Sequence, residues 1–442
     1  MQSLTDRPAR DLAVDLRSGA LSAAVLAAAC LDRIAALEPE IHAWAWIDRD
    51  LTMAQARAAD DRRASGACLG PLHGLPVGVK DIYDTSDMPT ELGTPIHRGR
   101  RPSADATMVA RLRACGAVIL GKTVTTELAT YTPGPTRNPN DRTRTPGGSS
   151  SGSAAAIAAG MASLTLATQT NGSVIRPAAF CGVVGLKPSL GLLPRTGILK
   201  QSMMLDQPGL MARDVGDVAF LAQALIGPDP DDEQSFYGAV PDLGAAASDR
   251  SVRPKMAYVR GPFWNLVDAA ARESLDQYVK TLGFDVDTIA LPAEFDDAAR
   301  AHGIIMQAGL AEAFREEYAH GRLLMSERLI SMLETGRQIS AVTFIEALGV
   351  RDRLRRLFDK IAAPFDALIT PATLGIAPKL EKGSGDPIMA TLWTLVGAPS
   401  LTAPFLFGEE GMPLGVQLVG SRFSDERLIR SAAYLERLHR KG

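Results

Sequence analysis

The sequence predicts an α/β fold: a single large domain in which a mixed, mostly parallel β-sheet is covered by α-helices on both faces. Short apolar runs alternate with longer helical patterns along the 442 residues, and this alternation is typical of a sheet between two helical layers. Hydrophobic residues make up 46% of the chain and charged residues 22%, as in globular proteins with a sizeable core. No internal repeat divides the chain, and large α/β enzymes reach this length as one domain.

The elements follow in order along the chain. The sequence predicts a helical segment at about 1–65 and a core at about 66–220. Strands are predicted at 76–79, 117–121, 163–168, 255–259, 284–289, 367–371 and 415–420. Helices are predicted at 50–64, 105–115, 151–161, 268–282, 298–319, 340–361 and 423–439. The polar, loop-rich stretch 229–251 indicates a crossover connection and not a domain boundary.

One apolar segment, LSAAVLAAAC at 21–30, ends in a cysteine as a lipoprotein signal does. Asp6, Asp11 and Asp15 precede it, whereas the start of a signal peptide is positively charged. The run continues as LDRIAALE with helical spacing, which predicts an amphipathic surface helix. No apolar stretch approaches the roughly 18 residues that a membrane span needs. We therefore expect a cytoplasmic protein without a membrane contact.

Charge and cysteine content argue against several other classes of protein. The net charge is −3 and no basic run occurs, so dedicated nucleic-acid binding is not expected. The four cysteines are scattered and form no CxxC pair, and the histidines show no HExxH spacing. These patterns predict free thiols in a reducing compartment, no metal site and no cofactor.

Three short motifs carry the residues of a hydrolytic site. Lys80 ends the run LPVGVKD, Ser149 lies in PGGSSSGSAAA, and Ser173 lies in TQTNGSVIRPAAFCG. A serine hydroxyl must pass its proton to a base before it attacks, and a lysine is such a base only where its pKa is lowered. Taken alone, GGSSSGS could be a flexible linker and Lys80 a solvated charge. The helix-forming run after the serines and the apolar strand before Lys80 favour a buried site.

Together the motifs resemble the amidase signature family, which hydrolyses carboxamides with a Ser-Ser-Lys triad. The resemblance covers nearly the whole chain, is weakest at about 246–363, and implies one large sheet with the triad at its edge. It implies that Ser173 is the nucleophile, that Ser149 follows a cis peptide bond and relays a proton, and that Lys80 is the base. The region of about 246–363 would hold variable helices that shape the substrate site. The implied oxyanion hole consists of backbone N–H groups of Thr170, Asn171, Gly172 and Ser173.

Two positions depart from the usual pattern of the family. Asn171 stands where a glycine is usual; asparagine tolerates left-handed backbone, and its amide would project toward the substrate. Arg176 lies three residues after Ser173, a placement that resembles malonamidase-like bacterial members, in which this arginine binds a substrate carboxylate. A guanidinium group suits bidentate binding of a carboxylate. The alternative is a structural arginine paired with a core acid.

The sequence therefore predicts an amidase that hydrolyses a small carboxamide through an acyl-enzyme on Ser173, with a carboxylate-bearing substrate indicated if Arg176 binds it. Its expected partner is the small-molecule amide, with no nucleic acid and no membrane, and a homodimer is left open. One alternative is the glutaminase (A) subunit of a tRNA-dependent amidotransferase, which supplies ammonia to a partner. Another, of a different class, is a catalytically silent binding or scaffold protein, against which labelling of Ser173 by a fluorophosphonate would argue.

Overall fold

The structure is a computed structural model, and it describes residues 3–283 and 286–440. Its strands are β1 (Trp44–Ile47), β2 (Pro76–Lys80), β3 (Val118–Thr123), β4 (Leu164–Gln169), β5 (Val184–Lys187), β6 (Gln207–Ala212), β7 (Met256–Val259), β8 (Asp287–Ile289), β9 (Ala367–Pro371), β10 (Ser400–Phe407) and β11 (Pro413–Val419).

The α-helices of the same residues alternate with these strands. They are α1 (Ala9–Ser18), α2 (Ala23–Ile41), α3 (Arg49–Ala64), α4 (Thr107–Ala114), α5 (Ser151–Ala158), α6 (Ile175–Cys181), α7 (Val215–Leu225), α8 (Leu243–Ser248), α9 (Ala269–Thr281), α10 (Ala298–Ala313), α11 (Arg315–Gly321), α12 (Glu327–Arg337), α13 (Ala341–Ala362), α14 (Ile388–Val396) and α15 (Asp425–His439). None of the helices in the described part of the chain has both the length and the apolar character that a membrane span requires.

The strands form one mixed sheet in the order β1-β3-β2-β4-β6-β5-β10-β11-β9-β7-β8. Parallel pairs lie toward its two flanks, where β2 pairs with β3 and β4, and β7 with β8 and β9. The pairs of the centre, from β4 to β9, are antiparallel. The sheet is mixed, as predicted, but its parallel share is smaller than the alternation of strands and helices suggested. The reason is that the unpredicted strands β5, β6 and β10 all pair antiparallel.

Helices cover both faces of the sheet, as predicted. Side chains alternate between the two faces along a strand, and the two main hydrophobic clusters divide in this way. Leu164 and Leu210 belong to the larger cluster, whereas Ala167 and Met211 belong to the smaller one. Helices α7 and α15 contribute to the larger cluster, and α5 and α6 contribute to the smaller one. The clusters therefore lie on opposite faces, each under its own helices.

All seven predicted strands coincide with strands of the sheet, although the predicted strand 284–289 begins at two residues outside the described ranges. Every predicted helix is also present, with 298–319 divided into α10 and α11. Strand β1 lies inside the segment that was predicted to be helical, and β5, β6 and β10 were not predicted. The subdivision into an N-terminal segment, a core and a variable region stays a prediction, because the sheet runs through all three.

Candidate active site

Lys80 is positioned by the parallel pairing of β2 with β4. It is the last residue of β2, and β4 ends beside it, so the carboxyl ends of both strands meet at one edge of the sheet. Lys80 is fully buried, and its Nζ atom lies 2.7 Å from Ser149 Oγ and 2.8 Å from Thr168 Oγ1. The solvated lysine that the sequence left open is therefore excluded.

Ser149 lies in the buried turn that leads into α5. The peptide bond between Gly148 and Ser149 is cis, as the family resemblance implied. The turn is fixed to its neighbours: Thr126 N–H donates to the Ser149 carbonyl at 3.3 Å, and Ser150 Oγ accepts from Thr168 N–H at 3.3 Å. Because the run continues directly into a helix and its serines are buried, it is not a flexible linker.

Ser173 lies in the short loop between β4 and α6. Gln169, the last residue of β4, accepts hydrogen bonds from Val174 N–H at 2.9 Å and Ile175 N–H at 3.0 Å, and it thereby caps α6. Ser173 itself is half-buried and lines a pocket. Within the described residues its hydroxyl makes no hydrogen bond, so it is open to a ligand.

The loop before Ser173 presents unused backbone donors. The N–H groups of Asn171, Gly172 and Ser173 have no hydrogen-bond acceptor in residues 3–283 and 286–440. All three residues line the same pocket. Backbone N–H groups are rarely left without a partner unless water or a ligand binds them. The loop can therefore hold an oxyanion, the role that the sequence predicted for it.

Thr170 was predicted with these donors, and its side chain serves the neighbouring wall. Its hydroxyl lies 2.7 Å from Gln201 Oε1 and 2.6 Å from Asp206 Oδ1. Asp206 is held in turn by the N–H groups of Gln201 and Ser202. Thr170 thus connects the end of β4 to the segment before β6.

The environment of Lys80 favours its neutral form. Burial lowers its pKa well below the ordinary value, and the nearby Asp206 opposes this effect. Its two hydrogen-bond partners are hydroxyl groups, which can donate to an amine as well as accept from it. A neutral amine in contact with Ser149 is able to accept a proton from that hydroxyl, as a general base must.

Asn171 does not adopt the left-handed backbone that the sequence analysis considered for it: the described non-glycine residues with positive φ do not include it. Its side chain is instead a cross-link at the pocket wall. Thr391 Oγ1 donates to Asn171 Oδ1 at 2.7 Å, and Asn171 Nδ2 donates to Tyr131 OH at 3.2 Å. Gly172 must be small because a Cβ atom there would lie 2.9 Å from Pro387 Cβ.

Arg176 is buried in α6 and lines the same pocket as Ser173. Its Nη1 donates to the Gly385 carbonyl at 2.6 Å, and its Nη2 donates to the Gly148 carbonyl at 2.7 Å. No acidic side chain pairs with Arg176 among the described residues. The alternative of a structural arginine paired with a core acid is therefore excluded. The Arg176 Nε is buried and has no partner in the same residues, and the guanidinium fixes the Gly148 turn through Nη2.

The pocket in front of Ser173 combines these polar groups with apolar walls. Met306 and Leu310 of α10 and Met332 of α12 provide the apolar surface. The ring of Tyr131 faces the guanidinium carbon of Arg328 at 4.5 Å from the ring centroid. The described residues contain no group of His, Cys, Asp and Glu side chains that could hold a metal ion.

A comparison with protein families and curated sequences identifies the class. The family model named Amidase matches residues 25–429. The chain is 36% identical to the A subunit of the glutamyl-tRNA(Gln) amidotransferase from Acidothermus cellulolyticus, an alignment that covers 100% of this chain and 96% of that protein. It is 37% identical to the protein of the same name from Anaeromyxobacter sp. strain K, over 97% of this chain and 95% of that one. The chain therefore belongs to the amidase family, and it is an amide-hydrolysing serine enzyme.

Solved structures of similar fold support the same family. One belongs to a protein complex described as vestigial, which reveals the origins of an s-triazine catabolic enzyme; it has a TM-score of 0.92 and 29% identity, with 98% of each chain covered. The native peptide amidase of Stenotrophomonas maltophilia has a TM-score of 0.85 and 31% identity, over 98% of this chain and 97% of that one.

The expectation about partners is wrong. The sequence predicted a small-molecule amide as the partner, without nucleic acid or membrane, and left a homodimer open. The curated relatives that span nearly the whole chain are each named as one component of a larger enzyme, and such a component works together with other protein chains. Neither the net charge nor the absence of a basic run could reveal protein partners, because one protein can bind another without a strong net charge or a basic surface.

The structure adds four site residues that the sequence analysis did not single out. Thr168 contacts Lys80, Gln169 caps α6, and His302 and Thr394 contact carbonyl groups of the oxyanion loop. Thr168 and Gln169 lie within the quoted motif and could have been found from their place at the end of β4. His302 and Thr394 are more than a hundred residues away, and no local pattern marks them.

Proposed function

We propose that this chain is the glutaminase subunit of a tRNA-dependent amidotransferase, in which Ser173 releases ammonia from glutamine for use by partner subunits. The observation that carries the hydrolysis is the buried Lys80–Ser149 contact of 2.7 Å beside a loop of unused N–H donors. The role within a larger enzyme rests on the relatives of that name, which align over nearly the whole chain. They favour this function over the free-standing amidase that the sequence analysis ranked first.

In the proposed reaction, Ser173 Oγ attacks the side-chain amide carbon of glutamine while its proton passes to Ser149 and the Ser149 proton passes to Lys80. The N–H groups of Asn171, Gly172 and Ser173 bind the oxyanion of the tetrahedral intermediate. The proton returns along the same path to the amide nitrogen, so ammonia leaves and an acyl-enzyme remains. Water then attacks the ester and yields glutamate, which restores the free hydroxyl.

We assign Arg176 to the substrate carboxylate, because it lines the Ser173 pocket and has an unused Nε donor. Glutamine carries a carboxylate as well as an amide, so this assignment suits both glutamine and other small acidic amides. The two carbonyl contacts of Arg176 hold the guanidinium in place before the substrate arrives, which reduces the entropy lost on binding. Asn171 lies on the same wall and would contact the substrate through its amide group.

A protein that amidates glutamyl-tRNA works where translation takes place. The cytoplasmic location predicted from the sequence is therefore part of this proposal.

The test uses the chain isolated from its own cells with its associated subunits. The preparation is given glutamate-charged tRNA, glutamine and ATP with Mg²⁺, because the glutamate carboxylate must be activated before ammonia can replace its oxygen. The amino acid recovered from the tRNA is then analysed. Wild type should convert the bound glutamate to glutamine. Ser173→Ala should lose this conversion with glutamine but retain it with ammonium chloride, because the partner subunits still use ammonia directly. Conversion by Ser173→Ala with glutamine at the wild-type rate would contradict the proposal.

Carboxylate binding by Arg176 is tested separately with a carboxylated amide and its neutral isostere. Wild type should prefer the carboxylated amide strongly, and Arg176→Ala should lose this preference. Arg176→Lys should lie between the two, since it keeps the charge but not the planar donor pair. The matched control is Arg144→Lys, because Arg144 is a buried arginine that donates to the Ala377 carbonyl and is not among the residues that line the Ser173 pocket. A wild-type preference for the neutral amide would refute the assignment.

The free-standing amidase remains the second candidate, and the 31% identity to a peptide amidase favours it. The two functions differ in one measurement. A free-standing amidase purifies without partner subunits and hydrolyses simple amides at full rate, whereas the proposed glutaminase is isolated with partners. A scaffold protein would fail both assays and would leave Ser173 unlabelled by a fluorophosphonate.

A further inference from the structure

Three carbonyl groups of the oxyanion loop, residues 170–173, accept hydrogen bonds from outside the loop. His302 Nε2 lies 2.9 Å from the Thr170 carbonyl oxygen, and Thr394 Oγ1 lies 2.5 Å from that of Asn171. The next carbonyl, of Gly172, accepts from Arg176 N–H at 2.9 Å. Three successive peptide groups are thus fixed by three different helices, α10, α14 and α6.

These contacts determine where the loop donors point. In a trans peptide the C=O bond and the following N–H bond are coplanar and point in opposite directions. A hydrogen bond to the Thr170 carbonyl therefore orients the N–H of Asn171, and one to the Asn171 carbonyl orients the N–H of Gly172. Asn171 and Gly172 both line the pocket, and their N–H groups have no acceptor among the described residues.

We infer that His302 and Thr394 are positioning residues of the oxyanion hole: they hold the Thr170 and Asn171 carbonyls so that the following N–H groups are preset for the transition state. Neither residue contacts the reacting atoms. The inference rests on the proposed function only in that Ser173 hydrolyses an amide, whatever that amide is.

The chemistry of His302 fits a permanent donor. A carbonyl oxygen only accepts, so Nε2 must carry the hydrogen in this contact. His302 is buried, and burial lowers its pKa to about 4. The imidazole is therefore neutral at neutral pH, with its single N–H committed to Thr170. A neutral imidazole fixes the loop through this one donor without placing a charge in the buried site.

Thr394 fits the same role through a short chain of side chains. Its hydroxyl accepts from Gln169 Nε2 at 2.9 Å while it faces the Asn171 carbonyl. The other end of the Gln169 amide accepts from the first N–H groups of α6. The cap of α6 and the orientation of Asn171 are thereby coupled through one glutamine.

The test compares variants that remove each donor with variants that retain it. His302→Met and Thr394→Val remove the donor at similar volume, whereas His302→Gln and Thr394→Ser retain one. The donor-free variants should lower kcat by roughly tenfold to a hundredfold, because small misplacements of catalytic groups have effects of this size. KM should change less than about twofold, since the oxyanion forms only after binding. The donor-bearing variants should recover most of kcat.

Ile305→Val serves as the packing control, because Ile305 is buried on α10 and is not among the residues that line the Ser173 pocket. It should leave kcat and KM unchanged. All variants are also assayed for the rate of Ser173 labelling by a fluorophosphonate, which needs no knowledge of the natural amide. Labelling should slow in the donor-free variants in parallel with kcat.

Outcomes for the two proposals are separable. Wild-type protein that is neither labelled nor active on any amide refutes the proposed function. Wild-type protein that is labelled, with His302→Met and Thr394→Val labelled and active at the same rate, refutes the positioning roles alone. If His302→Met fails to fold, the pair Thr394→Val and Thr394→Ser decides the inference: an equal kcat in these two overturns it.

Discussion

At the residue scale, the buried lysines Lys80, Lys122 and Lys187 differ in the groups that surround their amines, and this difference bears on the proposed role of Lys80 as the base. Lys122 lies 3.2 Å from Asp81 and donates to the carbonyls of Tyr83 and Pro89. Lys187 donates to the side chain of Gln207 and to two backbone carbonyls. Acceptors of this kind need the three hydrogens of an ammonium group. Of these three lysines, Lys80 is the one whose hydrogen-bond partners are all hydroxyl groups. Its neutral form therefore loses little hydrogen-bond energy relative to the ammonium form.

We expect activity to rise with pH through the lowered pKa of Lys80, because only the neutral amine accepts a proton. The effect on stability has the same sign. Between its folded-state pKa and the unfolded value of about 10.4, the unfolded chain binds one more proton at Lys80, so stability increases with pH in that window. Lys80→Met should therefore be inactive, and its stability relative to wild type should be greater at pH 7 than at pH 10.

Urea unfolding at pH 7 and pH 10 measures this difference, which should shrink at pH 10. Lys122→Met is the matched control: it leaves Asp81 buried without its partner and should lose about 3–5 kcal/mol of stability at pH 7. A Lys80→Met protein that retains most of the wild-type rate would remove Lys80 as the base.

Asn171→Gly should keep kcat within roughly tenfold, a barrier change of about 1.4 kcal/mol. The reason is that the carbonyl contacts that orient the loop do not involve its side chain. The amide cross-link to Thr391 and Tyr131 would be lost, so KM or the preference among amides should change. Steady-state kinetics over a panel of amides gives both numbers. A hundredfold lower kcat with unchanged KM would mean that the side chain supports the loop itself.

At the element scale, local pattern predicted the long helices and the strands that flank them. It missed β6 and β10, which contain Pro208 and Pro404 and so do not resemble central strands. It also missed β5, a four-residue strand with a glycine. The buried Lys80–Ser149 contact joins two residues that local motifs had marked, whereas the roles of Lys80, Ser149 and Ser173 stay a prediction. The contacts of His302 and Thr394 to the loop were not predictable, since they arise only when α10 and α14 pack against the end of β4.

The packing of α10 against α12 gives a prediction of its own. A Cβ atom at Gly336 of α12 would lie 2.1 Å from the Gln307 carbonyl oxygen of α10. Gly336→Ala must therefore separate the two helices, and we expect a loss of about 1–3 kcal/mol together with a lower kcat, because α10 also carries His302.

Gly349 of α13 offers the matched control, because a Cβ atom there meets nothing within 4 Å. Gly349→Ala should stabilise the protein by up to about 1 kcal/mol through higher helix propensity. Thermal unfolding and kinetics of both variants test the pair. Equal stability of Gly336→Ala and wild type would show that the helices separate without a penalty.

At the scale of the whole molecule, one sheet connects the N-terminal and C-terminal thirds, with eleven strands in residues 3–283 and 286–440. The β-strands of the predicted core and those that follow the variable region pair directly, as β5 does with β10. We therefore expect the chain to unfold in one transition in urea, with fluorescence and Ser173 labelling lost together. Two separate transitions, one of them confined to about 246–363, would contradict the single domain.

The loop that holds the oxyanion receives its supports from positions as late as Thr394. When the ribosome has added Ser173, the proposed nucleophile is present, but α10 and α14, which orient the neighbouring peptide groups, have not yet been made. Nascent chains and N-terminal fragments that end between Ser173 and α14 contain Lys80, Ser149 and Ser173. They still lack Thr394, which contacts the Asn171 carbonyl. In synthesis, the competent hydrolase comes into existence only when the last part of the chain has been made.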